Sequence, residues 1–245
     1  MRQLLVVCSV MLSASICGCA HYRTPGGGVS IPAITDAGIA DALSRKPAAE
    51  FPAHLVVARV QASGYQSQSG SAYGRGRYSV LTTRDIETDE DFMQLTTLPG
   101  VAGVGALNRI LLPVELRSTH ELREAAAQLR GDIVLLYTLD TAFHTESQLV
   151  APLQLVSLGM FASEKSRIVT TCAAAFMDVR TGYVYGVAEG TATQTRRSSV
   201  WTTEAAIDAA RLKTEREAFS SALKEVAKAW AAINAEYGRT AAARR

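Results

Sequence analysis

The sequence predicts an α/β (α+β) fold built on a single mixed β-sheet with a long central hairpin. Helices flank the sheet, including a long one at the C-terminus. Three observations carry this. Ile168 to Thr195 reads as one hairpin, with a strand to Val179, a tight Arg180-Thr181-Gly182 turn and a second strand from Tyr183. Leu55–Val60 (apart from Arg59) and Ile133–Leu139 are apolar on both faces, as covered strands are. Phe219, Leu223, Val226, Trp230, Ile233 and Tyr237 alternate at spacings of four and three, the stripe of an amphipathic helix.

The hairpin is the hub. Three loop residues ending in Gly suit a type I turn closed by a left-handed glycine. Pairing outward from that turn sets Val179 opposite Tyr183, Met177 opposite Tyr185 and Ala175 opposite Val187. Side chains alternate along a strand, so Met177, Tyr183, Tyr185, Val187 and Glu189 are expected on one face. The other face carries Cys172, Ala174, Gly186, Ala188, Gly190 and Ala192, with Phe176 as its one large member. A face that small lets a helix backbone come close.

At the N-terminus, Met1-Arg2-Gln3 carries one positive charge and Leu4 to Ile16 carries none. The apolar run has the length of a signal-peptide core and is too short for a stable bilayer span. It ends in Ile16-Cys17-Gly18-Cys19, which resembles the lipobox of bacterial lipoproteins, with an unusual Cys at position 17. The resemblance implies a signal peptide over 1–18 and a lipidated Cys19 bearing a diacylglyceryl group and an N-acyl chain such as palmitate. At about 0.8 kcal/mol per buried methylene, three acyl tails anchor the chain permanently. Ala20 follows rather than Asp, which by the same resemblance favours the outer membrane, with the domain facing the periplasm. Residues 19–34, with Gly26-Gly27-Gly28 and two prolines, read as a flexible tether spanning roughly 20–40 Å. A single domain is expected over 35–238 and a frayed basic tail over 239–245.

Within the domain, Thr35 or Asp36 caps a short helix to Arg45, with Ile39, Ala42 and Leu43 inward. The first strand is expected over His54–Ala62. Gly64–Arg77, rich in Ser, Gly, Gln and Tyr, reads as a mobile surface loop. A strand over Tyr78–Thr83 and an acidic helix within Arg84–Gln94 follow. Of Val101–Val114, the stretch Asn108–Pro113 is expected to form an edge strand stopped by Pro113. Ser118-Thr119-His120-Glu121 is a capping box opening a helix with Leu122, Ala125, Ala126 and Leu129 on one face and Gly131 at its close. The connector Thr145–Lys165 is long and apolar from Leu149 to Phe161, so it is either a buried crossover or an exposed interaction patch. The final helix runs from Thr202 or Thr203 to about Tyr237.

Composition narrows the functional classes. Hydrophobic residues make up 48% and charged residues 20% of the 245, an ordinary globular balance. The net charge of +2 is spread along the chain without the concentrated basic stripe of a nucleic-acid binder. Of four cysteines, Cys8, Cys17 and Cys19 crowd the N-terminus, so no disulfide framework is expected, and Cys172 reads as a small buried hydrophobe. His21, His54, His120 and His144 are too dispersed for a metal site. Gly74-Arg75-Gly76 lacks the lysine and following helix of a phosphate loop. Ser221-x-x-Lys224 lies inside an amphipathic helix without the companion elements of penicillin-recognising enzymes. Asp178 and Glu189 fall on opposite hairpin faces, so they are no carboxylate pair; the role expected for Asp178 is turn capping. No cofactor is implied.

Two stretches are specific enough to carry a resemblance. Leu129-Arg130-Gly131-Asp132-Ile133-Val134-Leu135 brings a helix end into a strand, and Asp178-Val179-Arg180-Thr181-Gly182 is a hairpin turn. Behind a lipobox, this order resembles a superfamily of envelope proteins. It includes the curli secretion lipoprotein CsgG, the N-terminal domain of TolB and the lipoprotein activators of penicillin-binding proteins. The resemblance implies a fold and a compartment. The functional expectation is a non-enzymatic, membrane-anchored periplasmic lipoprotein that binds or scaffolds an envelope partner. Tyr183, Tyr185, Leu153, Leu155 and Phe161 are its candidate partner-binding residues. A self-assembling ring or channel subunit is the alternative, although no clean pair of alternating membrane-spanning strands is evident. A cell-envelope hydrolase is a third reading without a motif behind it.

Overall fold

The computed structural model of the chain describes residues 27–31, 38–68, 70–146, 165–197 and 204–238. Its elements run α1 (Ile39–Ser44), β1 (Ala53–Ala62), β2 (Arg75–Gly76), β3 (Tyr78–Leu81), α2 (Asp89–Thr96), β4 (Val101–Ala106), β5 (Glu115–Leu116) and α3 (Thr119–Gln128). The long elements β6 (Ile133–Glu146), β7 (Lys165–Asp178), β8 (Val184–Arg197) and α4 (Glu204–Ile233) follow, and a π-helical turn over Asn234–Gly238 ends the described chain. The main sheet is ordered β3-β1-β6-β7-β8, with β4 sharing one edge of β1 with β3. β1 is parallel to β6 and β4 and antiparallel to β3, so the sheet is mixed as expected. No helix among the described residues is long and apolar enough to cross a membrane.

Alternation along the strands divides the core between the two faces. Leu55, Val57, Leu135, Tyr137, Cys172 and Phe176 face α4, where Ala218, Phe219, Ala222 and Trp230 meet them. Val56, Ala58, Val134, Leu136 and Met177 face α3, which contributes Leu122, Ala125 and Ala126. The capping box at the start of α3 forms as the sequence requires. So does the stripe on α4, whose Phe219, Leu223, Val226, Trp230 and Ile233 are all buried. The small face of the hairpin admits the helix backbone: a Cβ on Gly190 would lie 2.7 Å from the Cα of Ala222.

The hairpin register is as expected from Ala175↔Val187 outward, but it slips between Phe176 and Met177, which pairs with Val184. The bulge corrects the expected faces. Met177 stays on the α3 side, whereas Tyr185 turns to the α4 side and packs against Tyr237 with ring centroids 5.0 Å apart.

Other expectations need correction. In α1, Ile39 and Leu43 are 83% and 81% exposed rather than inward, because no described element covers this six-residue helix. The edge strand is Val101–Ala106 rather than Asn108–Pro113; Arg109–Leu111 is a 3₁₀ turn whose Ile110 amide donates to the Asn108 side chain at 3.1 Å. Parallel pairing with β1 decides this over the low strand propensity of its glycines. After α3 the left-handed residue is Arg130 (φ 56°), and Gly131 serves close packing, since a Cβ there would lie 3.2 Å from the Ala126 carbonyl. The Gly64–Arg77 stretch is pinned rather than a free surface loop. Tyr65 is buried within it, and Arg75–Gly76 pairs with Glu115–Leu116. The adjoining Tyr78 is also buried and donates its hydroxyl to the Ser118 carbonyl at 2.8 Å. The acidic helix begins within the expected stretch, capped by Thr88 and Asp91, and runs two residues past its expected end, to Thr96.

Candidate functional site

The three long strands β6, β7 and β8 present unequal faces. One lies under α4. On the other, α3 packs against β1 and the start of β6, and the residues Val29–Ile31 cross β6. Val29 donates its amide to Thr138 Oγ1 at 3.1 Å, and the Ala62 amide donates to the Gly27 carbonyl at 3.3 Å. Between this crossing segment and the hairpin lies a cavity of about 440 Å³ lined by Val29, Ile31, Leu136, Ala173, Ala175 and Val187. It exists because the lining positions of β7 carry nothing longer than alanine. Val187 is 69% exposed, a large apolar side chain on a face that no described element covers, and Glu189 marks the rim. The size and apolar lining suit a binding groove rather than a reaction centre.

At the turn end of the hairpin, Asp178 is buried and organises its surroundings. Its carboxylate accepts the amides of Ala48 (2.7 Å), Arg180 (2.8 Å) and Thr181 (2.9 Å) and the hydroxyl of Tyr185 (2.7 Å). Burial alone would raise its pKa, but the Tyr185 hydroxyl and the three amides outweigh burial and hold the carboxyl below its usual range. The turn-capping role expected of Asp178 is therefore what the structure shows. Tyr183, Tyr185 and Tyr237 stack edge to face, and the Tyr183 and Tyr237 hydroxyls lie 3.2 Å apart. Tyr183 and Tyr185 are thus brought together, each partly exposed, at the end of the sheet rather than beside the cavity.

Under α4 lies a third arrangement, a buried ion cluster. Arg59 of β1 donates to Asp85 at 2.5 Å and to Glu215 of α4 at 3.4 Å, with Glu87 at 3.5 Å. Arg211 donates to Asp208 (2.9 Å), Glu215 (2.7 Å) and the Tyr65 hydroxyl (3.2 Å). Tyr137 donates to Glu87 through a short hydrogen bond. Burial and the neighbouring Glu87 push the Tyr137 phenol well up. The Cys172 thiol beneath the same cluster is pushed up to about 12 by burial, so it stays protonated and unreactive. Among the described residues no group of His, Cys, Asp and Glu is placed to hold a metal ion.

No protein-family model matches the chain, and no curated protein matches it. Solved structures resemble it loosely. The lipoprotein GNA1162 from Neisseria meningitidis shares 11% identity, with 66% of this chain and 96% of that one covered at a TM-score of 0.30. Protein XCC0632 from Xanthomonas campestris shares 14%, with 86% and 99% covered at 0.32. PelC from Paraburkholderia phytofirmans, a dodecamer, shares 14%, with 73% and 92% covered at 0.24. Likenesses this distant extend to neither activity nor partner.

Of the residues singled out from sequence, Cys19, Leu153, Leu155 and Phe161 lie outside the described residues. Sequence reasoning missed both the cavity and the ion cluster. The cavity left a faint signal in the alternate alanines Ala173 and Ala175, opposite Glu189 and Val187. The cluster left a plainer one: Arg59 is the one charge within the otherwise apolar Leu55–Val60, and Arg211 and Glu215 stand one helical turn apart.

Proposed function

We propose that this protein is a non-enzymatic lipoprotein, held in the outer membrane by an acylated Cys19 with its domain facing the periplasm, that binds an envelope protein. The lipobox-like Ile16-Cys17-Gly18-Cys19 supports the anchor. The observation that carries the binding function is the hairpin face that no described element covers, with its apolar cavity and exposed Val187. A partner that inserts an apolar side chain or short segment there completes a core that the described residues leave open.

The test is a photo-crosslinking residue at position 187 in cells. A discrete adduct with an envelope protein is expected, lost when a second substitution, Ala175→Asp, places a charge in the cavity wall beside it. Absence of any adduct at 187 refutes the binding face. Labelled fatty acid should enter the wild-type chain and not Cys19→Ala.

A specific feature also favours self-assembly. β8 is the outer strand of the sheet and leaves one edge of a fourteen-residue strand without a partner among the described residues. Open edges of this length are templates for pairing with another chain. In this second reading the partner is another copy of the same protein. The mass of the detergent-extracted protein separates the two, since a monomer removes the ring.

A further inference from the structure

We propose that the segment received by the cavity is basic beside its apolar anchor: a partner peptide with a Lys or Arg within about three residues of the side chain that enters. The inference rests on the binding reading above and names the chemistry of what that site takes.

The strand register sets the charge at the mouth of the cavity. Ala175 pairs with Leu136 and Val187, and Ala173 pairs with Thr138 and Glu189. The apolar floor therefore meets Glu189 one step along the same face. One step further, Asp140 pairs with Thr171 and stands beside the N-terminal segment, where a Cβ on Gly27 would lie 3.4 Å from Asp140 Oδ1. Glu189 and Asp140 are both exposed, and neither carboxylate has an ion-pair or hydrogen-bond partner among the described residues. No Lys, Arg or His occurs in 27–31, 136–142, 169–175 or 187–193. The next described cation of β7 on this face is Arg167, about 20 Å along the strand from Ala173.

A cleft with low-dielectric walls and one sign of charge at its mouth focuses its field on whatever enters. An acidic or uncharged segment takes water from the Glu189 carboxylate and returns no partner, whereas a cation pairs with it. A free aliphatic amine fits the pattern less well. Glu189 and Asp140 stand two strands and one step apart, about 12 Å between backbones, a span that one ammonium group does not bridge. An extended peptide advances ~3.3 Å per residue. It can set an apolar group over Ala173 and Ala175 and a basic one at Glu189 together, with its next residues running past Asp140.

The experiment uses the full-length chain in cells with the photo-crosslinking residue at position 187, and reads the crosslinked segment by tandem mass spectrometry. That segment should carry a Lys or Arg within about three residues of the attachment point. Adduct yield should fall about threefold in Glu189→Gln and about tenfold in Glu189→Lys, at equal abundance of the chain. Glu217→Lys, an exposed position on α4 at the opposite face of the sheet, should leave the yield unchanged. A synthetic peptide of the identified segment should bind the purified full-length chain more weakly as salt shortens the screening length, and its Lys-to-Glu or Arg-to-Glu version should not bind. Full yield in Glu189→Lys, equal loss in Glu217→Lys, or a segment without Lys or Arg overturns the inference and leaves the binding face standing. An adduct with another copy of this chain overturns it in favour of self-assembly. An adduct with lipid alone, or none in the wild-type background, overturns both the inference and the binding reading.

Discussion

Gly190→Ala should be the most informative single-residue probe of how β8 and α4 are joined. At Gly190 an added methyl group would stand 2.7 Å from the Ala222 Cα and the Ser221 carbonyl carbon, well inside normal contact. The obstacle is helix backbone, which cannot swing aside as a flexible side chain would. Either α4 lifts from the sheet or β8 bends away, and the neighbouring contacts of Phe176 with Trp230, at 5.4 Å between centroids, loosen with it. Overpacking of this kind costs about 1–3 kcal/mol. For a chain of this size that lowers the melting temperature by roughly 2–4 °C per kcal/mol, so a fall of about 2–12 °C is expected. Gly105→Ala is the matched control. It also lies in a strand, nothing stands within 4 Å of its added methyl, and its backbone is outside the left-handed region. Relieving strand glycine flexibility there should raise stability by about 0.5–1 kcal/mol. Thermal denaturation followed by circular dichroism reads both. If Gly190→Ala melts as high as Gly105→Ala, α4 does not rest on β8 at this point and the close-approach argument is wrong.

Three further outcomes follow from the site geometry. Asp178 has its folded pKa held below the ordinary 3.8, so its contribution to stability is fully present above that value and is lost as pH falls through the folded pKa. Asp178→Asn should therefore lower the urea midpoint near neutrality, and the gap to wild type should close well below pH 3.8; a gap independent of pH would contradict the assignment. Arg211→Met leaves the buried Asp208 and Glu215 without their 2.9 and 2.7 Å partner. A loss of about 3–5 kcal/mol in denaturant unfolding is expected, and a loss under about 1 kcal/mol would mean the cluster is hydrated. Cys172, fully buried with its thiol pushed up to about 12, should resist maleimide in the native chain and react at once in denaturant. Rapid native labelling would show that β7 opens beneath α4.

What the sequence made legible was periodic or local. The α4 stripe was visible because an apolar repeat near 3.6 residues, sustained over five turns, matches the period of a helix and not that of a strand. The α3 cap was visible because four consecutive residues satisfy one another. The hairpin register was readable from the turn and the run of small residues. The bulge that turns Tyr185 was not, since nothing local separates a slipped pair from a straight one. α1 was misjudged because an apolar pattern over six residues says nothing about whether another element arrives to cover it. β4 was missed because its glycines argue against a strand, and only the edge of β1, almost fifty residues earlier, makes it one. Arg59 could be noticed as an intruder in an apolar strand. Its partners at Asp85, Glu87 and Glu215 lie up to 156 residues away, beyond any local pattern.

The two faces of the sheet follow from one allocation of residues. On the α4 side the chain commits its large groups and its ions: Trp230 and Phe176 are fully buried, and Arg59 and Arg211 are surrounded by carboxylates. Desolvation there pushes Tyr137 and Cys172 up, so both groups stay neutral across the physiological range. On the other side the same strands carry alanine, valine and threonine, with an open cavity and, among the described residues, no helix over β7 and β8. The interior is thus closed and charge-matched, and the hairpin face opposite is lined by small residues that no described element covers. Val29 to Ile31 lie on that face and line the cavity, so a partner seated there also touches this N-terminal segment.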